Sequence, residues 1–297
     1  MKVAMIGAEE VEGQAVAKAF NQAQCAITLL VEDISEVKQQ LGQGYEYKHC
    51  DTTNLGHLKN ALQGVDSVYI SLKCVDEEDS LQLVTRIKNI LTACQFCNVK
   101  TVGLLSQDLV SEKNAHLFYE VAALYECEQL LKNSGLNYFI FCPAPFMECL
   151  PQYVHERQLY HYIKSEKSIH WLALTDFAQA VVKTFQHGGI KNARIILRGD
   201  CQHSLKEAVS IYVQELYPGL KFENLDVFFS WLKVSFTANK TLLHGAKKAR
   251  FIGQASAVTD YKSEQGHWLL PHSKTALKNW CHGQALEKRQ DSTALSA

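Results

Sequence analysis

Short apolar runs alternate with amphipathic stretches from the first residues onward. Val3–Ile6 and Ala26–Val31 read as strands, with a helix from Gly13 to about Asn21 between them. The same alternation predicts a helix over Ile34–Leu41, a short strand Tyr45–Lys48 ending at His49-Cys50-Asp51, and a helix over Leu55–Leu62. Gly64-Val65-Asp66 then leads into a strand over Ser67–Ser71. A long helix is expected over Glu78–Cys97, followed by strand Thr101–Leu105, helix His116–Lys132, the turn Asn133-Ser134-Gly135 and strand Tyr138–Phe141. Repeated strand–helix alternation implies parallel strands joined by right-handed crossovers, hence a doubly wound, mostly parallel α/β sheet.

Past Pro143-Ala144-Pro145 the rhythm changes. A helix is expected from Thr175-Asp176 to about Phe185, then a strand over Ala193–Leu197 and a helix over Leu205–Tyr217. Ser204 and Glu207 form a capping-box pattern at the start of that last helix. Phe222–Val227 reads as a strand, residues 228–245 as helix, residues 246–266 as a loop, Pro271–Gln284 as the last helix and Glu287–Ala297 as a disordered polar tail. The expected organisation is a Rossmann-type region over 1–150 and a smaller α+β lobe over 151–297 packed on it.

Composition adds limits rather than an activity. The chain has 297 residues, 47% hydrophobic and 21% charged, as in ordinary globular proteins. A net charge of −1 gives no electrostatic case for nucleic acid or an anionic membrane as partner. No apolar stretch approaches the roughly 20 residues of a membrane span, and Met1–Gly7 is too short for a signal peptide, so a cytoplasmic protein is expected. The ten cysteines are scattered through strands and helices and do not form a disulfide framework. Cys94-x-x-Cys97 is their one close pair, with no second pair at zinc spacing. None of the twelve histidines falls in a recognisable metal motif, and His267, Trp268 and His272 read as surface residues.

The first strand runs into Gly7-Ala8-Glu9-Glu10-Val11-Glu12-Gly13. At this place a Rossmann fold uses one glycine for the turn, one for close approach of a pyrophosphate and one for packing the helix on the strand, with phosphate held on N–H groups of the helix terminus. Extended and atypical short-chain reductases commonly carry Gly-Ala-Thr-Gly-x-x-Gly here. Gly7, Ala8 and Gly13 match, whereas Glu10 replaces the glycine of close approach and Glu9 a small hydroxyl residue. Glu9, Glu10 and Glu12 are expected to oppose a pyrophosphate, since like charges about 4 Å apart repel by roughly 4 kcal/mol at an effective dielectric of 20. Two readings stay open, a bare strand-to-helix turn and a retained dinucleotide site. The second strand ends in Val31-Glu32-Asp33. An acid there suits a ribose 2′-hydroxyl, so NAD is favoured over NADP if either binds.

Further segments resemble the NmrA-like branch of the atypical short-chain dehydrogenases/reductases. They include Asp51-Thr52-Thr53, Gly64-Val65-Asp66-Ser67-Val68, Asn98-Val99-Lys100-Thr101-Val102 with Leu105-Ser106, Ser134-Gly135-Leu136-Asn137-Tyr138, Cys142-Pro143-Ala144-Pro145-Phe146-Met147-Glu148 and Thr175-Asp176-Phe177-Ala178. The resemblance implies cofactor positions at Gly7, Ala8, Glu10, Val11, Gly13, Glu32, Asp51, Ser71, Ser106 and Pro143. It also implies a small-molecule ligand in a cleft between the lobes and a protein partner for the C-terminal lobe. Two departures stand out: Cys142 replaces the family's arginine before proline, and Cys149 its asparagine after Met-Glu.

Short-chain reductases carry Tyr-x-x-x-Lys on one helix face. Aligned on Glu128, this chain has Glu120 at the tyrosine place and Leu124 at the lysine place. Tyr119 pairs at that spacing with Ala123, and Tyr125 with Gln129, so no register supplies a lysine. Ser106 and Tyr125 remain as weak catalytic candidates. Three functions are compatible with these residues: a dinucleotide-linked sensor or regulator without standard catalysis, an active NAD(P)-dependent oxidoreductase acting on a quinone or small carbonyl, and a cofactor-free assembly factor.

Overall fold

A computed structural model describes residues 1–74, 76–155, 158–159, 167–217, 247–248, 250–251, 254–255, 268–270 and 275–294. The chain forms two compact units. The first is built from Met1–Pro143, Phe177–Leu197 and Ser256–Pro271, and the second from Ala144–Asp176, Arg198–Ala255 and His272–Ala297.

The first unit is organised by seven strands. These are β1 (Lys2–Ile6), β2 (Ala26–Val31), β3 (Glu46–His49), β4 (Ser67–Ile70), β5 (Thr101–Leu105), β6 (Asn137–Pro143) and β10 (Ala193–Leu197); the short strands β7 (Val154–His155), β8 (Gln158–Leu159) and β9 (Ile169–Trp171) that come between them in the chain belong to the second unit. They lie in the order β10-β6-β5-β4-β1-β2-β3, every neighbouring pair parallel. This is the expected doubly wound sheet, its order reversing between β1 and β4. The central strands are buried on both faces, as helices covering a parallel sheet require, and β4 is buried at every position.

The covering helices are α1 (Val11–Gln22), α2 (Ile34–Leu41), α3 (Leu55–Ala61), α4 (Glu77–Phe96) and α6 (Tyr119–Lys132), with α7 (Leu174–Gln186) returning beneath β5 and β6. Side-chain caps mark the starts of three of them: Asp33 accepts from the Glu36 amide, Asn54 from those of Gly56 and His57, and Asp76 from that of Asp79. On one sheet face Phe185 of α7 meets Phe20, Phe139 and Phe141 at ring separations of 5.6, 5.4 and 6.2 Å. Gly103 of β5 makes that packing fit, because a Cβ there would come within 2.7 Å of the Phe185 ring.

Most element ends shift by one or two residues from the sequence expectation, and two of the differences have a clear physical reason. The helix after β5 starts at Tyr119 rather than His116, because Ser111 caps a separate short helix α5 (Glu112–Ala115) before it. Strand β6 runs on to Pro143, whose carbonyl needs no N–H of its own to accept the Asp108 amide at 3.1 Å.

The second unit packs Met147, Leu150, Trp171, Tyr212 and Trp280 into a core. Its two indoles are satisfied: Trp171 Nε1 donates to the His203 carbonyl at 3.1 Å and Trp280 Nε1 to Glu148 Oε1 at 2.9 Å. Helix α8 (Leu205–Leu216) carries the expected capping box of Ser204 and Glu207. The expected strand Phe222–Val227 and helix 228–245 lie outside the described residues. Within 246–266, expected as loop, residues 247–248, 250–251 and 254 are helical. The tail is also corrected: the last helix runs Leu277–Ala294. Its Ala, Leu, Glu, Lys, Arg and Gln content is strongly helix-forming, and polarity alone had suggested disorder.

Candidate functional site

The turn after β1 is shaped by its two glycines. Gly7 adopts φ +92°, and a Cβ on it would stand 2.1 Å from the Ser71 carbonyl oxygen at the end of β4. A Cβ on Gly13, in the first turn of α1, would stand 1.9 Å from the Gly7 carbonyl oxygen. Helix, turn and neighbouring strand therefore approach backbone to backbone, and Ala8 between them is wholly buried. Glu10 is the N-cap of α1 in extended conformation, yet its side chain caps none of the helix amides. Val11, the next residue, is 58% exposed.

The three carboxylates of this turn do not stand together facing outward, which corrects the expectation of an unopposed acidic loop. Glu9 reaches sideways, and its Oε1 accepts the Glu32 amide at the end of β2 at 3.1 Å. Crowding by the loop pushes the Glu9 carboxyl above its ordinary pKa; its own and the Glu32 amide pull the other way, and the charges of Glu32 and Glu10 add to the rise. Glu10 and Glu12 share one cation. Lys73 Nζ, just past β4, lies 3.4 Å from Glu10 Oε2 and 2.5 Å from Glu12 Oε2. The Glu12 side chain is nearly buried at 9% exposure, so this lysine is what makes its charge tolerable there.

The other expected cofactor positions fall in a row along the carboxyl ends of the same strands. Glu32 follows β2, Asp51 follows β3, Ser71 follows β4, Ser106 follows β5, and Pro143 closes β6. The crevice at the order reversal of such a sheet is its usual ligand site. Asp51 is held by Thr53, whose hydroxyl and amide lie 2.7 and 2.8 Å from Oδ1 and draw the carboxyl below its ordinary pKa. Ser71 is fully buried, and its Oγ and the neighbouring Tyr69 hydroxyl both lack a hydrogen bond of full geometry among the described residues. Thr52 Oγ1 and Arg86 Nε, near the end of β3, are buried in the same condition. Orphaned polar atoms are costly in a finished core and are normal where a ligand completes the hydrogen bonding.

Beyond β5 the chemistry is different. Ser106 Oγ donates to Glu128 Oε1 at 2.6 Å, and both residues are buried. Arg194 Nε on β10 lies 3.0 Å from Glu128 Oε2, and Lys132 Nζ 3.3 Å from the same atom. Arg194 Nη2 also donates to the carbonyls of Gln107 and Val110. Cys142 lies against Glu128, where burial and that carboxylate hold its thiol well above the ordinary range. The guanidinium that the NmrA-like pattern would place at residue 142 thus comes here from a neighbouring strand.

Glu120, Leu124 and Glu128 form one stripe of α6, and Leu124 is buried. Glu120 Oε1 accepts from Gln107 Nε2 at 2.7 Å. Tyr125 sits about 100° round the helix from Leu124 and is half-buried. Of the two catalytic candidates, Ser106 meets the α6 stripe at Glu128, whereas Tyr125 lies off that stripe.

Lys73 and Arg194 escaped the sequence reading. A lysine a few residues past a strand carries no pattern until the fold sets it beside the first turn. Arg194 did leave a trace, as a charged residue inside a run expected to be a strand.

With this geometry in view, a family model described as NAD(P)H-binding matches residues 7–187. The chain belongs to the NAD(P)H-binding family. Its fold is shared with solved structures of low identity. One is the triphenylmethane reductase of Citrobacter sp., with TM-score 0.76, 18% identity and coverage of 97% of this chain and 100% of that one. A second is an NADPH-dependent quinone oxidoreductase of Escherichia coli, solved with NADPH, with TM-score 0.72, 18% identity and coverage of 95% and 99%. A third is a nucleoside-diphosphate-sugar epimerase of Staphylococcus aureus, with TM-score 0.74, 18% identity and the same coverage. No curated protein sequence matches the chain.

The family's cofactor is compatible with the residues present. The Gly7–Gly13 cradle leaves backbone where a side chain would block the turn, the Glu10 side chain leaves the first helix amides uncapped, and the Ser71 hydroxyl on the adjoining strand end is incompletely hydrogen-bonded. What departs from the family pattern is the charge at the middle of the turn, and Lys73 offsets it. Among the described residues no cluster of His, Cys, Asp and Glu is arranged to hold a metal ion, and no helix is long and apolar enough to cross a membrane.

Proposed function

We propose that this protein binds a nicotinamide dinucleotide along the strand ends of its first unit and serves as a dinucleotide-linked sensor, without the tyrosine–lysine proton relay of short-chain reductases. The observation that carries this is the α6 stripe: Leu124, buried and apolar, stands where the lysine would be, while Ser106 is committed to Glu128. An apolar side chain neither orients a ribose nor lowers the pKa of a neighbouring hydroxyl. When bound, the dinucleotide would supply a redox state to be read. Gly7, Gly13 and the first amides of α1 would hold its phosphates, Ser71 would give a hydroxyl to it, and Glu32 would meet its adenosine ribose. Glu32 favours NAD, because a carboxylate there repels a 2′-phosphate. A protein partner would receive the signal.

Calorimetric titration and thermal melting with NAD, NADH, NADP and NADPH test the reading. Measurable binding, tighter for the NAD pair, is expected. No response to any of the four would remove the dinucleotide from the function and leave a cofactor-free assembly role.

An active oxidoreductase is the second reading, favoured by the shared fold with a quinone oxidoreductase and a triphenylmethane reductase. Steady oxidation of NADH or NADPH with a quinone or an aldehyde would establish it and displace the sensor.

A further inference from the structure

Lys73 is held by two carboxylates of the turn that a phosphate would have to approach. Its ammonium is 3.4 Å from Glu10 and 2.5 Å from Glu12, and its side chain remains about a third exposed, at 36%. The two partners are not equivalent. The Glu12 side chain is 9% exposed and needs its counter-ion, whereas that of Glu10 is 42% exposed and can exchange it for water. Lys73 can therefore leave Glu10 at little cost while keeping Glu12. Independently, Ser71, two residues earlier on the same strand end, is fully buried, its carbonyl packs under Gly7, and its Oγ lies by the Tyr69 hydroxyl without a hydrogen bond of full geometry. A cation and a serine whose hydroxyl is incompletely hydrogen-bonded thus belong to the strand end that packs under the turn, where Glu10 replaces the glycine of close approach.

We infer that Lys73 is the phosphate-recognising cation of this site, and that Glu10 competes with the ligand for it. The ligand class is a diphosphate-bearing adenine nucleotide, and the inference rests on the dinucleotide reading. A phosphate entering the turn takes the place of Glu10 on Lys73, so that an internal ion pair is exchanged for a charge-assisted contact to the ligand. Glu10 then sets a threshold: it lowers affinity for every phosphate-bearing ligand and leaves a bare nucleoside unaffected.

ADP and adenosine, titrated into the full chain by calorimetry, separate the phosphate contribution from that of the base and ribose. Lys73→Met is expected to weaken ADP by about tenfold or more, the loss that goes with one charge-assisted hydrogen bond, and to leave adenosine unchanged. Glu10→Gln is expected to tighten ADP several-fold, again without effect on adenosine. Because Lys73→Met strands the buried Glu12, the double variant Lys73→Met/Glu12→Gln serves as the folded control and should show the same weakened ADP. Equal ADP affinity in the wild type and in both Lys73 variants would overturn the inference while leaving the dinucleotide reading intact. Absence of NADH, ADP and adenosine binding to the wild type would overturn both.

Discussion

The Ser106 hydroxyl donates a 2.6 Å hydrogen bond to the carboxylate of Glu128, joining the end of β5 to the inner stripe of α6. Glu128 is 1% exposed and is also met by Arg194 and Lys132, so the serine is one spoke of a buried ion cluster. A serine in this bond holds the sheet and helix in register. The same carboxylate lies against Cys142, and Arg194 brings its guanidinium to it from β10.

Arg194→Met should therefore be among the most destabilising substitutions in the first unit. It removes the guanidinium that faces a buried carboxylate and that also caps the Gln107 and Val110 carbonyls. A cost of about 3–5 kcal/mol is expected, as for other buried pairs broken on one side. The double variant Arg194→Met/Glu128→Gln should recover part of that loss, because no buried carboxylate is then left short of its counter-ion and Lys132 can turn to solvent. Urea denaturation of the three proteins checks this, and a single variant no less stable than the double would contradict it.

The glycines of the first turn offer a sharper contrast. Gly7→Ala combines a left-handed φ with backbone oxygen 2.1 Å from the new Cβ, and Gly13→Ala meets backbone at 1.9 Å. Neither obstacle is a side chain that can swing away. Each should cost upward of about 2 kcal/mol. Gly135→Ala shares a positive φ but has open space around it, and should cost about 1 kcal/mol. Melting temperatures in that order are expected; a Gly7→Ala protein as stable as the Gly135→Ala protein would show that the turn is not so tightly built.

Most of the first unit could be read from its residues because its central strands are short apolar runs closed by turn residues, and helices α2, α3 and α4 begin at a recognisable cap. Strands Ala26–Val31, Thr101–Leu105 and Ala193–Leu197 agree to the residue. The survival of Gly7 and Gly13 was legible for the same reason, since a turn glycine and a packing glycine have fixed offsets from a strand. Charge placement was not. Three glutamates in seven residues look like a repulsive loop, but Glu9 is spent on the Glu32 amide, and a lysine more than sixty positions along the chain serves the other two. Long-range pairing of this kind has no sequence period to reveal it. In the second unit the polar composition of the tail hid a helix, because strong helix formers and disorder-prone residues overlap in Glu, Lys and Gln.

Acid sensitivity should reside partly at Asp66. Its carboxylate accepts the Lys2 amide at 3.0 Å and Lys100 Nζ at 3.1 Å, tying the start of β1 to the residue before β5. The Lys2 amide first, and then Lys100, hold its pKa below the ordinary carboxylate value. A depressed pKa means that this stabilisation is present above the unfolded-state value near 3.8 and is lost as pH falls through the folded value. Asp66→Asn should accordingly melt below the wild type at pH 7, and the gap should close as pH drops under about 4. A gap that stays constant across that range would place the stabilisation elsewhere.

The cysteines make the last prediction. Burial drives the thiols of Cys94 and Cys127 up to about 12, and those of Cys50 and Cys281 up to about 11. Redox-active Cys-x-x-Cys motifs depend on the opposite shift, a thiolate stabilised near neutral pH. Burial raises the thiols of both Cys94 and Cys97, the direction opposite to that of such motifs. Cys25, half-exposed in the turn before β2, is not enclosed in this way. Alkylation of the native protein at pH 8, mapped by mass spectrometry, should modify Cys25 first, with Cys94, Cys127 and Cys142 reacting only after denaturation. Early labelling of Cys94, or a Cys94–Cys97 disulfide formed under mild oxidant, would return a redox role to that pair and show that α4 opens at its C-terminal end.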